Sequence, residues 1–225
     1  MRAVILAAGK GERMRPLTLT KPKPLLEVCG ITLIEHHIIN LKKAGFTRII
    51  INVSWLAQQI IQKLGDGSQY GVEIRYSAEG QEPLETGGGL FHALPLIGTE
   101  PFLVVNADIK TDFDFSTLKK SISSLAHLVL VNNPEHNING DFSINNDSTL
   151  KYLDPEERHT YSGIGIYHPK LFEGCSYGKY SVVPLLKSAM NNNKITGQLY
   201  NGNWNDIGNL ERLIAINRNC KKSSK

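Results

Sequence analysis

Apolar and polar positions along the first half of the chain follow the pattern of strands that alternate with helices. Apolar runs of strand length occupy residues 3–8, 48–53 and 102–106, and a shorter strand is predicted at 73–77. Apolar residues at helical spacing predict helices over residues 33–43, 56–64 and 87–94. Unbroken apolar strands are typical of parallel sheets that are covered on both faces. The pattern therefore predicts an α/β fold with a doubly wound, mostly parallel sheet.

The second half of the chain has a looser pattern. Residues 132–146 are rich in Asn, Gly and Pro, which indicates turns around a short strand at 142–144. A further strand is predicted at 162–167, and helices are predicted at 182–191 and 210–217. Because no linker is long enough to divide the chain, we expect one domain over residues 1–219. The last residues, 220–225, are expected to form a disordered tail.

Composition narrows the class of protein. Hydrophobic residues make up 41% and charged residues 20% of the 225 residues, as in ordinary globular proteins. The apolar runs are too short to span a bilayer, so no membrane contact is expected. The net charge of +4 is concentrated near the N-terminus, in a patch too compact for a nucleic-acid surface. Three widely spaced cysteines predict neither a disulfide framework nor a zinc site, and they favour a reducing cytoplasm.

A glycine loop follows the first predicted strand. Gly9 and Gly11 allow backbone N–H groups to surround phosphate oxygens, and Lys10, Arg13 and Lys23 can add charged contacts to a triphosphate. The spacing matches neither a dinucleotide-binding fingerprint nor a Walker A loop. Taken alone, Gly-x-Gly is explained equally well by a tight turn between a strand and a helix.

The continuation of this loop is more specific. Arg-Met-Arg-Pro-Leu-Thr at residues 13–18 is followed by Lys-Pro-Lys-Pro-Leu-Leu at 21–26, and then by Gly30 and Leu33-Ile34. The whole stretch resembles the signature of the nucleoside-diphosphate-sugar pyrophosphorylases, the NTP-transferase family. Thr32 stands where that family usually has proline, a difference expected to alter only the start of the helix. The resemblance implies a sugar-1-phosphate nucleotidyltransferase and extends to about residue 215.

Two carboxylates are candidates for a metal site. Asp108 ends a predicted strand, at the sheet edge where open α/β folds bind ligands, and Asp206 lies in the segment Trp-Asn-Asp-Ile-Gly. Asp108 could instead cap the next helix. Since nucleotidyl transfer brings two anions together, we expect Asp108 and Asp206 to hold Mg²⁺. We expect Arg13 and Lys23 to be catalytic, with Lys23 stabilising the transition state.

The resemblance also implies a nucleotide site and a sugar site. The predicted nucleotide-binding residues are Ala8, Gly9, Gly11, Glu12, Arg13, Lys23, Gln81, Thr86 and Gly87. The predicted sugar-binding residues, in a small lid region, are Asn106, Gly140, Asp141 and Ser162. Several later segments resemble family members that transfer the uridylyl group of UTP to N-acetylmuramate 1-phosphate. Of the four sugar-binding residues, Asp141 is also explained as an ordinary turn residue, since Asp commonly follows Gly in turns.

Two other functions fit the same residues. A mannose- or heptose-1-phosphate guanylyltransferase would share the N-terminal signature and the Trp-x-Asp-Ile-Gly segment. A non-catalytic sensor of sugar nucleotides would keep the fold without turnover, although the presence of Arg13, Lys23, Asp108 and Asp206 together argues against it. The expected partners are UTP and a sugar-1-phosphate, for a monomer or weak homo-oligomer in the cytoplasm with no nucleic acid bound.

Overall fold

The computed structural model describes residues 1–119, 122–152 and 157–223. Its α-helices are α1 (Leu17–Thr20), α2 (Leu33–Lys43), α3 (Ala57–Leu64), α4 (Glu85–Ile97), α5 (Val183–Met190) and α6 (Leu210–Ser223). Its strands are β1 (Ala3–Leu6), β2 (Glu27–Val28), β3 (Ile31–Thr32), β4 (Arg48–Val53), β5 (Glu73–Ala78), β6 (Phe102–Asn106), β7 (Ile109–Thr111), β8 (Ala126–Val131), β9 (Phe142–Ile144), β10 (Leu150–Lys151), β11 (Arg158–Tyr167), β12 (Ile195–Tyr200) and β13 (Trp204–Asp206).

A nine-stranded sheet organises the chain. Its main order is β10-β9-β11-β6-β1-β4-β5, with β8 paired to β11 and β12 paired to β8. The strands of the first half, β5, β4, β1 and β6, pair in parallel, which confirms the predicted α/β class. Strand β11 runs antiparallel to β6 and β8, so the sheet changes direction where the sequence pattern loosens.

Several elements form at the predicted bounds. Helix α2 and strands β4, β6 and β9 begin and end at the residues that the apolar pattern indicates. Helix α2 starts with a capping box, in which the Thr32 hydroxyl accepts from the Glu35 N–H and the Glu35 carboxylate accepts from the Thr32 N–H. The threonine that departs from the family pattern therefore supplies the helix cap.

Seven strands of the described chain are absent from the sequence prediction: the two-residue strands β2, β3 and β10, and the strands β7, β8, β12 and β13. Strand β8 is an apolar run that lies directly before the turn-rich region, and the sequence pattern did not separate the two. Strand β12 alternates weakly, Ile-Thr-Gly-Gln-Leu-Tyr, and owes its conformation to parallel pairing with β8. Strands β7 and β13 contain three residues each and pair only with each other, antiparallel. Because these strands depend on distant partners, local periodicity does not reveal them.

Two apolar layers cover the sheet. On one face, alternate residues of the central strands, such as Ile5 and Ile51, pack against helices α2 and α3. On the other face, Val4, Ile50 and Val104 pack against helices α4 and α5. Burial on both faces explains why these strands read as unbroken apolar runs. None of the helices in the described ranges has the length and apolarity needed to cross a membrane.

The C-terminal segment corrects two expectations. Helix α6 continues to Ser223, so residues 220–223 are helical where a tail was expected, and residues 224–225 lie outside the described ranges. The structure also joins Cys29 to Cys220 in a disulfide with a Cα–Cα distance of 5.5 Å, so the expectation of no disulfide was wrong. The two cysteines are 191 positions apart, and packing of α6 beside β2 brings them together.

Candidate active site

A cleft of about 430 Å³ opens at the carboxyl ends of strands β1 and β6. The predicted site residues among those lining it are Ala8, Gly9, Gly11, Glu12, Arg13, Lys23, Thr86, Asn106 and Asp108. Gln81, Gly87, Gly140, Asp141, Ser162 and Asp206 do not line it, although Gly208 beside Asp206 does. Residues from four distant parts of the chain therefore meet at the sheet edge where α/β folds bind ligands.

The two glycines of the first loop have different roles. Gly11 adopts a left-handed conformation (φ +62°), and a Cβ there would lie 2.9 Å from Thr18 Cγ2. The Thr18 hydroxyl donates to the Gly11 carbonyl at 2.8 Å, which fixes the turn. At Gly9 an added Cβ would meet nothing within 4 Å. Gly11 thus shapes the loop, and Gly9 leaves its backbone open to a ligand in the cleft.

Lys23 and Asp108 form an ion pair inside the cleft. Lys23 is 8% exposed, and its Nζ lies 2.6 Å from Asp108 Oδ2. Lys23 lies in a short turn of helix between Pro22 and Leu26, where prolines on either side restrict the backbone. Arg13 also borders the cleft, with an exposed side chain. The predicted catalytic lysine and one predicted metal ligand are therefore direct partners.

The second predicted metal ligand, Asp206, lies on strand β13, which pairs with β7, the strand that begins directly after Asp108. Asp206 is paired with Ile109 in the β7–β13 ladder, and the Ile207 N–H donates to the Asp108 carbonyl at 2.8 Å. The Asp206 carboxylate accepts from the Arg212 guanidinium and lies 2.9 Å from His136 Nε2. Each of the two aspartates thus has a cationic partner.

The donor set fits magnesium. Carboxylate oxygens are the ligands that Mg²⁺ prefers, and it commonly takes one or two of them and completes its shell with water and substrate phosphates. No group of three or more His, Cys, Asp and Glu side chains arranged to bind a metal occurs within the described residues. Asp108 lies in the turn between β6 and β7, and Asp206 lies on β13. Each carboxylate already attracts a cation, which is consistent with a metal that also needs phosphate ligands.

The second loop is held in place by a distant segment. The N–H groups of Gly87 and Gly88 donate to the Tyr180 carbonyl, and the Thr86 hydroxyl accepts from the Val182 N–H at 3.1 Å. A Cβ at Gly87 would lie 2.6 Å from the Tyr180 ring. Gly87 therefore permits close packing, whereas Thr86 borders the cleft. The Gln81 side chain is exposed.

Sequence reasoning missed two buried polar residues that also line the cleft, Asn52 and Glu79. Asn52 Oδ1 accepts from the Ala7 N–H at 2.6 Å, and its Nδ2 donates to Glu79 Oε1 at 2.5 Å. Glu79 Oε2 accepts from the Leu84 N–H at 2.7 Å. Burial raises the pKa of Glu79, and the two hydrogen bonds act in the opposite direction. The available signal was a polar residue near the carboxyl end of each of two predicted strands, Asn52 in β4 and Glu79 directly after β5.

The predicted sugar residues fall into two groups. Asn106 borders the cleft and packs on Gly163, where a Cβ would lie 2.5 Å from Asn106 Nδ2. Gly140 turns the chain next to Arg158. The Asp141 carboxylate accepts from the Tyr161 N–H at 2.8 Å, and the buried Ser162 hydroxyl donates to the Val129 carbonyl at 2.7 Å. Asp141 and Ser162 therefore support the irregular part of β11 that carries Gly163.

Comparison with known proteins agrees with this arrangement. The model of the nucleotidyl transferase family matches residues 2–223. The chain belongs to this family. It is 51% identical over 223 residues to N-acetylmuramate alpha-1-phosphate uridylyltransferase of Neisseria meningitidis serogroup B, and the match covers 95% of each chain. It is 30% identical over 227 residues to the enzyme of the same name from Caulobacter vibrioides, with 95% of this chain and 94% of that enzyme covered.

A solved structure supports the fold independently. A Bacillus anthracis protein assigned as a glucose-1-phosphate thymidylyltransferase superposes with a TM-score of 0.85 and covers 98% of this chain. The match covers 95% of that chain at 21% identity, so it bears on the fold alone. Family membership makes this chain a nucleotidyltransferase, an enzyme of the class that the first loop indicated.

Proposed function

We propose that this enzyme transfers the uridylyl group of UTP to N-acetylmuramate α-1-phosphate and releases pyrophosphate. The observation that carries the proposal is the 51% identity to the Neisseria meningitidis uridylyltransferase over 95% of both chains. The cleft geometry supports it, because nine of the predicted site residues line one cavity at the sheet edge. A role in recycling of cell-wall sugars follows from the same substrate.

The proposed reaction is an in-line displacement at the α-phosphorus of UTP. An oxygen of the sugar phosphate forms the new bond to phosphorus, the bond to the β-phosphate bridging oxygen breaks, and pyrophosphate leaves with that electron pair. No protein nucleophile is required, since a phosphate monoester is already able to attack. The open backbone at Gly9 and the side chains of Arg13 and Lys23 would hold the triphosphate and offset the charge that develops at phosphorus.

We propose that Asp108 and Asp206 hold Mg²⁺, which would neutralise phosphate charge and keep the reacting groups aligned. In the proposed state Lys23 leaves Asp108 and binds phosphate oxygens instead. The remaining predicted nucleotide contacts, including Gln81 and Thr86, would bind the base and ribose. Asn106 would contact the sugar at the far side of the cleft, with Gly140, Asp141 and Ser162 supporting that wall.

A matrix of four nucleoside triphosphates against several sugar-1-phosphates, with pyrophosphate release as the readout, tests the proposal. We expect the highest rate with UTP and N-acetylmuramate 1-phosphate, and a rate that depends on Mg²⁺. Strict dependence on GTP would favour a mannose- or heptose-1-phosphate guanylyltransferase. Absence of pyrophosphate release with every pair would favour the sensor.

The proposal includes a cytoplasmic location, where both substrates would be made, and a monomer or weak homo-oligomer. A reducing cytoplasm would oppose the Cys29–Cys220 disulfide, so the redox state of these cysteines is worth measuring in cell extracts. Alkylation of free thiols before lysis, followed by mass spectrometry of the two cysteine peptides, gives that state directly. Predominantly alkylated peptides would support the cytoplasmic location.

A further inference from the structure

Helix α6 buries little apolar surface among the side chains that the structure describes. Leu213 is buried and Ile216 is half-buried, whereas Leu210 and Ile214 are exposed. Helices in proteins are stabilised mainly by the packing of an apolar face. Because the apolar face of α6 is small, this helix depends on its other contacts to remain docked.

Some of these other contacts join α6 to the turn between β2 and β3. The Asn217 amide accepts from the Cys29 N–H at 2.9 Å and donates to the Glu27 carbonyl at 3.0 Å. Beside these hydrogen bonds, Cys29 and Cys220 form the disulfide. Since a covalent link keeps its two ends at a high effective concentration, α6 stays close to this turn even when the hydrogen bonds open.

The disulfide is accessible from solution. Cys29 is exposed, and Cys220 is half-buried. Thiol–disulfide exchange requires that an attacking thiolate reach one of the sulfur atoms. A reagent in solution can therefore reach the sulfur of Cys29 while α6 is docked.

The docked helix supports two segments of the candidate active site through one apolar cluster. Leu213 packs in this cluster with Met14 and Ile207. Met14 directly follows Arg13 in the first loop, and Ile207 directly follows Asp206. Undocking of α6 would therefore remove a packing partner from both segments at once.

Helix α6 also contacts the candidate active site through Arg212. The guanidinium of Arg212 donates to the Asp206 carboxylate. Cys220 lies eight residues further along the helix, about 12 Å at 1.5 Å per residue. The disulfide is thus too far from Asp206 to act on it directly, and it acts by holding the helix in place.

We propose that Cys29 and Cys220 are a reversible redox site, and that their disulfide holds α6 against these two segments of the candidate active site. The oxidant is a low-molecular-weight disulfide. The Cys29 thiolate attacks one of its sulfur atoms and releases the first thiolate, and the Cys220 thiolate then attacks the Cys29 sulfur and releases the second. The two protein thiols lose two protons and two electrons, which appear in two molecules of reagent thiol. A dithiol reductant reverses the reaction.

The test compares oxidised and reduced forms of four proteins. The proteins are wild type, Cys29→Ser, Cys220→Ser and the control Cys175→Ser, which removes the third cysteine of the sequence, outside the disulfide. Each is incubated with glutathione disulfide or with dithiothreitol, and intact mass with a count of free thiols defines its state. Thermal unfolding establishes that each variant is folded. Amide hydrogen exchange is then measured by mass spectrometry, without substrate or metal, over residues 210–220, 11–15 and 204–208.

We expect amides of residues 210–220 to exchange at least about tenfold more slowly in oxidised than in reduced wild type, as expected when a cross-link opposes local opening. Residues 11–15 and 204–208 should change in the same direction. Cys175→Ser should behave as wild type, whereas Cys29→Ser and Cys220→Ser should exchange at the reduced rate under both conditions. Equal exchange in the two forms of wild type overturns the inference. A stable glutathione adduct in place of the disulfide, or a change confined to residues 210–220, also overturns it.

The consequence for turnover rests on the proposed function. The value of kcat/KM for UTP should be about fivefold higher or more in the oxidised forms of wild type and Cys175→Ser than in their reduced forms. The ratio should be one in the other two variants. A ratio of one in wild type would overturn a regulatory role for the disulfide. Absence of pyrophosphate release in both forms would count against the proposed function, and the exchange measurement, which needs no substrate, would still decide the redox site.

Discussion

Substitution of Glu79 by Gln tests how the two nucleotide loops are held together. The donors in this network are the Ala7 N–H, the Asn52 amide and the Leu84 N–H, and the chain of hydrogen bonds ends on the two oxygens of Glu79. Gln replaces one of these oxygens by an NH₂ group, which then faces another donor. The Asn52 amide cannot rotate to compensate, because its oxygen already accepts from Ala7.

The expected cost follows from burial. Glu79 is 6% exposed and Asn52 is 3% exposed, so a donor left without an acceptor there has little access to water. Such a buried, unsatisfied donor costs about 1–3 kcal/mol. We therefore expect the free energy of unfolding of Glu79→Gln, measured in urea with an unchanged m-value, to fall by about this amount. Since the Leu84 N–H anchors the segment that carries Glu85 and Thr86, KM for UTP should rise more than kcat falls.

Glu73→Gln is the matched control, because Glu73 is an exposed residue of strand β5, which ends one residue before Glu79. It should change neither the free energy of unfolding by more than about 0.5 kcal/mol nor KM for UTP. A Glu79→Gln variant with stability and KM equal to those of Glu73→Gln would refute the reasoning. That result would mean that the hydrogen-bond chain rearranges without cost.

Three further predictions concern the metal pair and helix α2. Asp108→Asn should lower kcat on the order of a hundredfold or more with the fold intact by circular dichroism, and wild-type turnover would remove Asp108 from the metal site. Thr32→Ala should lower the free energy of unfolding by about 1 kcal/mol through loss of the cap, and Thr32→Ser should not. Burial acts to raise the pKa of Glu35, but hydrogen bonds from Thr32, Tyr70 and Lys63 lower it from 4.5 to about 2. Its stabilisation is therefore present above pH 4.5 and lost as the pH falls towards 2, so the stability difference between wild type and Glu35→Gln should shrink over that range.

The parallel half of the fold could be predicted from the sequence because its burial is two-sided and local. Strands β1, β4 and β6 are apolar at almost every position, and α2 has both an apolar stripe and a capping threonine. The first loop and Asp108 could be placed at one sheet edge for the same reason, since each directly follows such a strand. The first loop and Asp108 do line the same cleft, as this reasoning predicts.

The other parts of the site depend on contacts between distant residues. Nothing near Asp206 in the sequence indicates that His136 will approach its carboxylate from a turn 70 positions earlier. Asp141 and Ser162 have polar side chains, but their partners are backbone groups of β11 and β8, and only the folded sheet shows that they support its irregular segment. The cysteine pairing likewise follows from where α6 packs.

Three cations in and around the candidate site are each paired with a carboxylate, which bears on how a highly charged substrate binds. Lys23 is paired with Asp108, Lys10 with Glu82 and Arg212 with Asp206. A half-buried charge without a partner would be costly, so these ion pairs keep the empty site folded around its own charges. Under the proposed function Asp108 exchanges Lys23 for the metal, and the released lysine binds a phosphate group of a substrate. Neither charge loses its partner in that exchange. The site therefore avoids most of the cost of leaving a buried charge unpaired, whether the substrates are bound or not.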